Sequence, residues 1–72
     1  MMKVKSLMKV CEMDIQEYEV YKKSKEGCLL FQGKALSKDA FLNEWGNDTL
    51  EYFYTATDNT DLDWEIMILV IK

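Results

Sequence analysis

Trp64-Glu65-Ile66-Met67-Ile68-Leu69-Val70-Ile71 is the stretch on which the reading of this chain turns. Three isoleucines, a valine and a tryptophan in eight residues favour an extended, pleated backbone. Successive side chains of a strand point to opposite faces. Trp64, Ile66, Ile68 and Val70 therefore share one face, and Glu65, Met67, Leu69 and Ile71 the other. A strand with one wet face alternates apolar with polar, whereas this one stops alternating after Glu65. It is expected inside the sheet, with both faces at least partly covered. Its length suits a strand, and it is too short for a membrane helix, which needs about 20 apolar residues.

Upstream of it, Asp58 to Asp63 reads as a polar turn and Leu50 to Thr57 as a strand, with Leu50, Tyr52, Tyr54 and Ala56 opposite Glu51, Phe53, Thr55 and Thr57. Ser37 to Trp45 is the clearest helix. Ser37 is placed to cap the free N–H groups, and Asp39 suits the positive end of the dipole. Leu36 and Phe41 match a hydrophobic staple, and Gly46 stands at the C-terminal boundary. Ile15 to Lys22 and Cys28 to Lys34 read as a hairpin across the polar turn Lys22–Gly27. In the first of these strands Tyr18 and Val20 face inward, and Glu17, Glu19 and Tyr21 outward. In the second, Leu29 and Phe31 share a face, and Gly33 ends the strand or marks a bulge. Ser6 to Met13 reads as a short helix capped by Ser6, on the spacing of Leu7, Met8 and Cys11. Lysines alternating with Val4, Met8 and Val10 leave a strand open as the other reading. The expected fold is one α+β domain, residues 1–72, with a four-stranded antiparallel sheet of two hairpins, a helix between them and a short N-terminal helix.

Seventy-two residues bury only about 60% of their unfolded surface, yet 49% hydrophobic content is too apolar for a disordered chain. Nine basic residues, all lysine, stand against thirteen acidic ones, a net charge of −4. Arginine, with its planar fork for phosphate and guanine edges, is absent. This balance argues against direct nucleic-acid binding. No apolar run marks a signal peptide or a membrane segment, so the expected compartment is the cytoplasm. Cys11 and Cys28 are then expected as free thiols packed like small apolar residues.

The opening Met2-Lys3-Val4-Lys5-Ser6-Leu7-Met8-Lys9-Val10, the segment from Glu19-Val20-Tyr21 through Gly33-Lys34-Ala35 and the hydrophobic last strand resemble one group of proteins. These are small acidic proteins encoded by phages and conjugative elements of Gram-positive bacteria. The resemblance implies a mobile-element accessory protein with a short helix ahead of a hairpin. It transfers no functional residue.

Chemistry is thinly represented. There is no histidine for acid–base work or to activate the cysteines. Two separated cysteines without histidine make no closed zinc site. Asn59, Asp61 and Asp63 sit at calcium-loop spacing, but Trp64 and Val70 stand where that loop needs glycine and glutamate. No catalytic residue, cofactor or metal is expected.

Two surfaces remain. If the helix covers the Trp64/Ile66/Ile68/Val70 face, then Met67, Leu69 and Ile71 are left with Phe53 as an apolar partner-binding face. The alternative is burial of these residues under the N-terminal helix. The second surface is acidic: Asp58, Asp61, Asp63 and Glu65. The expected function is a non-enzymatic protein–protein interaction module acting through a sheet face or edge, on a protein partner or on itself as a homodimer. The alternative is an inhibitor that mimics nucleic acid with its carboxylates against a host defence protein, in the manner of some anti-CRISPR proteins.

Overall fold

A computed structural model describes residues 2–11, 14–57 and 64–72. The elements run α1 (Val4–Val10), β1 (Glu17–Lys23), β2 (Leu29–Ala35), α2 (Lys38–Trp45), β3 (Leu50–Thr57) and β4 (Glu65–Ile71). The strands form one sheet in the order β2-β1-β4-β3. As expected from its two apolar faces, the final strand is central. The sheet is mixed, however, and not antiparallel throughout. β1–β2 and β3–β4 are antiparallel hairpins, but β1 and β4 lie side by side and run parallel. Parallel neighbours need a long crossover, and everything between β1 and β4, α2 included, provides it. Gln16 ties their starts together. Its backbone N–H donates to the Glu65 carbonyl at 3.0 Å, and its Oε1 accepts from the Glu65 N–H at 2.6 Å.

The register assigns the two sides of the sheet. Tyr18 lies opposite Met67 and Val20 opposite Leu69 on β1–β4. Phe53 pairs with Leu69 on β3–β4, and Val20 with Gly33 on β1–β2. Tyr18, Val20, Ala35, Met67, Leu69 and Ile71 join Val4, Leu7, Met8 and Phe41 from the helices in one core. Both helices therefore cover the Met67/Leu69/Ile71 side. Phe41 is wholly buried and stacks on Tyr18, with ring centroids 4.7 Å apart.

α2 begins as expected, with Ser37 Oγ accepting from the Ala40 N–H at 3.2 Å. The staple does not form, because Leu36 is 65% exposed. Gly46 caps the helix in right-handed conformation (φ −58°), and a Cβ there would meet the Leu42 carbonyl oxygen at 2.5 Å. α1 starts at Val4 rather than after Ser6. Its first two free N–H groups are taken by the loop after α2: Val4 donates to the Asp48 carbonyl and Lys5 to that of Gly46, each at 3.0 Å. Backbone carbonyls from a distant loop thus do what a capping side chain would do. The expected end of this helix, at Glu12 and Met13, lies outside the described residues.

Gly27, φ +89°, closes the first hairpin in a conformation that favours glycine. Gln32 is an extra residue between the paired Gly33 and Phe31, so the bulge falls beside Gly33 and the strand continues to Ala35. Gly33 lies under the Trp45 ring, where an added Cβ would sit 2.7 Å from Cζ2. Glycine there lets α2 close onto β2. Of the two thiols, Cys11 packs against the core, whereas Cys28 is exposed in the hairpin turn instead of buried.

Candidate binding surface

Among the described residues, no helix lies on the other side of the sheet. Pairing places Glu17, Glu19 and Tyr21 beside Ile66, Ile68 and Val70, with Tyr52, Tyr54 and Ala56 on the far side of β4. Phe31 pairs with Tyr21, Leu29 with Lys23 and Lys34 with Glu19 on the near side. The surface is an aliphatic strip flanked by aromatics. Leu29, Phe31, Tyr52 and Tyr54 are 38%, 56%, 41% and 46% exposed. Phe31 meets Tyr21 edge to face, with centroids 5.5 Å apart. Val70, between Tyr21 and Tyr52, is wholly buried, while Ile66 and Ile68 are half-buried. Aromatic rings with a hydroxyl at one end suit such a half-wet face, because the ring covers apolar area and the tip meets water.

A small polar cluster edges the strip. The Tyr21 hydroxyl donates to Glu19 Oε1 at 2.7 Å. That bond, reinforced by partial burial and neighbouring acidic groups, pushes the Tyr21 phenol up to about 12. Glu17 and Glu19 lie two residues apart on the same face of β1, beside Ile66 and Ile68. Glu19 accepts from Glu17 and from Tyr21 and is held below the ordinary glutamate value. Glu17 is raised by its bond to Glu19 and by partial desolvation, partly offset by the Trp64 indole and Lys34. The Glu17 and Glu19 carboxyls at the edge of the apolar strip present acceptors to a partner's donor.

The structure inverts the expected apolar site. Met67 and Leu69 are 0% exposed and Ile71 6%, all beneath the helices, and the buried alternative is the one observed. Of that set only Phe53 keeps substantial exposure, and it points to the helix side at the edge strand. Both faces of β4 are apolar, so alternation along β4 alone did not say which one the helices take. The signal lay in β1, where Tyr18 and Val20 read as inward and Tyr21 as outward. Once β1 is known to neighbour β4, that pattern assigns Met67 and Leu69 to the core. Of the expected acidic site, Asp58, Asp61 and Asp63 lie outside the described residues. Glu65 is half-buried, and its Oε1 accepts from Thr57 Oγ1 at 2.8 Å, so it belongs to the β3–β4 ladder.

Among the described residues, no cluster of three or more cysteine, aspartate or glutamate side chains is arranged to hold a metal ion. No described helix is long and apolar enough to cross a membrane. Fold and surface together define a small α+β protein with a four-stranded mixed sheet, two helices on one face and an aromatic-flanked open face. No protein-family model, no curated protein and no solved structure matches the chain.

Proposed function

We propose that this protein is a non-enzymatic protein-binding module that works through the helix-free face of its sheet. One observation carries the reading: a contiguous strip of Ile66 and Ile68 flanked by Tyr21, Phe31, Tyr52 and Tyr54, left uncovered by either helix. Exposed apolar patches of this kind mark interaction sites, and aromatic residues are enriched at interfaces. The two longer dimensions of the molecule, 34 and 26 Å, bound a face comparable with the about 800 Å² per partner of a standard interface. The partner is a folded protein with an apolar centre and a cationic group that reaches Glu17 and Glu19. The likeness to accessory proteins of mobile elements supports a host protein as that partner.

The test is affinity capture from nuclease-treated host lysate with the wild type, the double variant Phe31→Lys/Tyr54→Lys and the control Asn43→Lys on the exposed side of α2. A protein retained by the wild type and the control, and lost with the double variant, supports the reading, provided circular dichroism shows that all three fold. Equal capture by the double variant refutes it. Capture that survives the face substitutions and collapses in moderate salt supports acidic mimicry through Asp58, Asp61 and Asp63 instead.

A further inference from the structure

We propose a second docking site, at the outer edge of β2, that takes an extended peptide segment of aliphatic residues followed by acidic ones. β2 pairs with β1 on one side alone, so its other side presents a row of backbone N–H and C=O groups. An extended segment adds to such an edge through main-chain bonds, and its alternate side chains need pockets. A groove of about 400 Å³ opens between this strand and α2, floored by Gly33 and Ala35, walled by Ala40 and the Trp45 ring and edged by Glu44, so it takes the peptide's aliphatic side chains while the peptide's carboxylates lie over the lysines. That volume lies within the roughly 300–1,000 Å³ of ligand pockets. Side chains of an added strand would alternate between this groove and the exposed Leu29 and Phe31 on the open face. Gln32 Nε2 donates to the Leu30 carbonyl at 3.1 Å, so a polar side chain tends this edge in the free protein.

Charge selects the partner. Residues 22–38, which contain β2, hold five lysines and one glutamate, a balance of +4 in a chain whose total is −4. Lys22, Lys23, Lys25, Lys34 and Lys38 are all exposed. A strand with carboxylates beyond its apolar run meets this frame favourably. A second copy pairing β2 with β2 would bring two such clusters together, so the occupant is not a second β2 edge. A nucleic acid could answer the lysines, but not the slot between Ala40 and Trp45. This site shares Leu29 and Phe31 with the open face but rests on the β2 edge and its groove, so it fails or stands apart from the Tyr52 and Tyr54 side of that face.

The test titrates isotope-labelled protein with a short synthetic peptide, a run of valine and isoleucine followed by aspartates. Backbone amide shifts are read by NMR. Saturable shifts centred on Leu29–Ala35 and on Ala40 to Trp45 support the site. Lys22→Glu/Lys34→Glu should weaken binding about tenfold or more, and so should Ala40→Glu, which fills the groove and adds a second carboxylate to that of Glu44 without disturbing the Ser37 cap. Tyr54→Lys should leave it unchanged. Four outcomes overturn the proposal. The first is no saturation, and the second is shifts centred on Tyr52, Tyr54 and Ile66. The third is equal binding by a peptide with prolines at alternate positions, which cannot pair as a strand. The fourth is oligoaspartate or a single-stranded oligonucleotide binding as tightly with the same shifts.

Discussion

Leu69→Ala and Ile68→Ala change neighbouring residues of one strand on opposite faces of the sheet, and the structure gives them unequal costs. Leu69 is 0% exposed, beneath the helices between Val20 and Phe53. Truncating a fully buried leucine to alanine costs about 2.7–5.0 kcal/mol, lost transfer energy plus the cavity left behind. Ile68 is half-buried, flanked by Glu19 and Tyr54 on a face with no helix above it. Its truncation opens no closed cavity and should cost about 1 kcal/mol, roughly the loss of three half-buried aliphatic carbons. At about 0.05–0.15 kcal/mol per residue, total stability is on the order of 4–11 kcal/mol. Leu69→Ala therefore removes a large share of it, and Ile68→Ala a small one. With about 4–8 °C of melting temperature per kcal/mol in a domain of this size, the Leu69 variant should melt about 12 °C or more below the wild type. The Ile68 variant should melt within about 8 °C of it. Urea denaturation followed by circular dichroism, with a thermal scan alongside, reads both. Equal losses at the two positions, or a larger one at Ile68, would refute the assignment of faces.

Four further outcomes follow from local geometry. Gly33→Val should destabilise by about 1–3 kcal/mol through overpacking and shift the tryptophan emission, because its Cβ meets the Trp45 ring; chemical denaturation and fluorescence check this. Ser37→Ala removes the acceptor for the Ala40 N–H and should cost about 1 kcal/mol, read from the same denaturation curves. Tyr21 should titrate near 12, and Glu19→Gln should return it toward the ordinary value of 10.0, since the charged acceptor is what raises it. The stability from that bond is present in full below pH 10 and lost as pH rises through about 12. The carboxyl pair works in opposite senses around 4.5: the Glu19 contribution is lost as pH falls below it, and the Glu17 contribution as pH rises above it. Ring carbon shifts of Tyr21 and side-chain carboxyl carbon shifts of Glu17 and Glu19, measured against pH, follow the three groups.

Much of this fold was legible in local pattern, and what was not depended on long-range pairing. Ser37 announced α2, Gly27 the first hairpin, and the unbroken apolar run from Ile66 to Ile71 a central strand. Each of these is written within a few residues of chain. The parallel pairing of β1 with β4 joins residues about fifty apart, and no local spacing encodes it. Missing that neighbour had two consequences: the sheet read as antiparallel, and which side of β4 the helix between the hairpins covers was left open, with the uncovered Met67 side offered as the binding face. The start of α1 was misjudged for a similar reason, because its donors are met by Gly46 and Asp48 and not by Ser6. The open face itself was half visible. Tyr21, and Leu29 with Phe31, had been sorted by alternation, but nothing in β3 alone said that Tyr52 and Tyr54 would line up beside them.

The central claim is that the helices cover the Met67 side of β4 and leave the Ile68 side open. Methyl NMR of the free protein with a soluble gadolinium chelate tests it most directly. The account predicts strong broadening of the Ile66 and Ile68 methyl signals, with those of Met67, Leu69 and Ile71 left sharp. Broadening of Met67 and Leu69 with Ile66 and Ile68 shielded would contradict it, and would return the apolar surface to the opposite face.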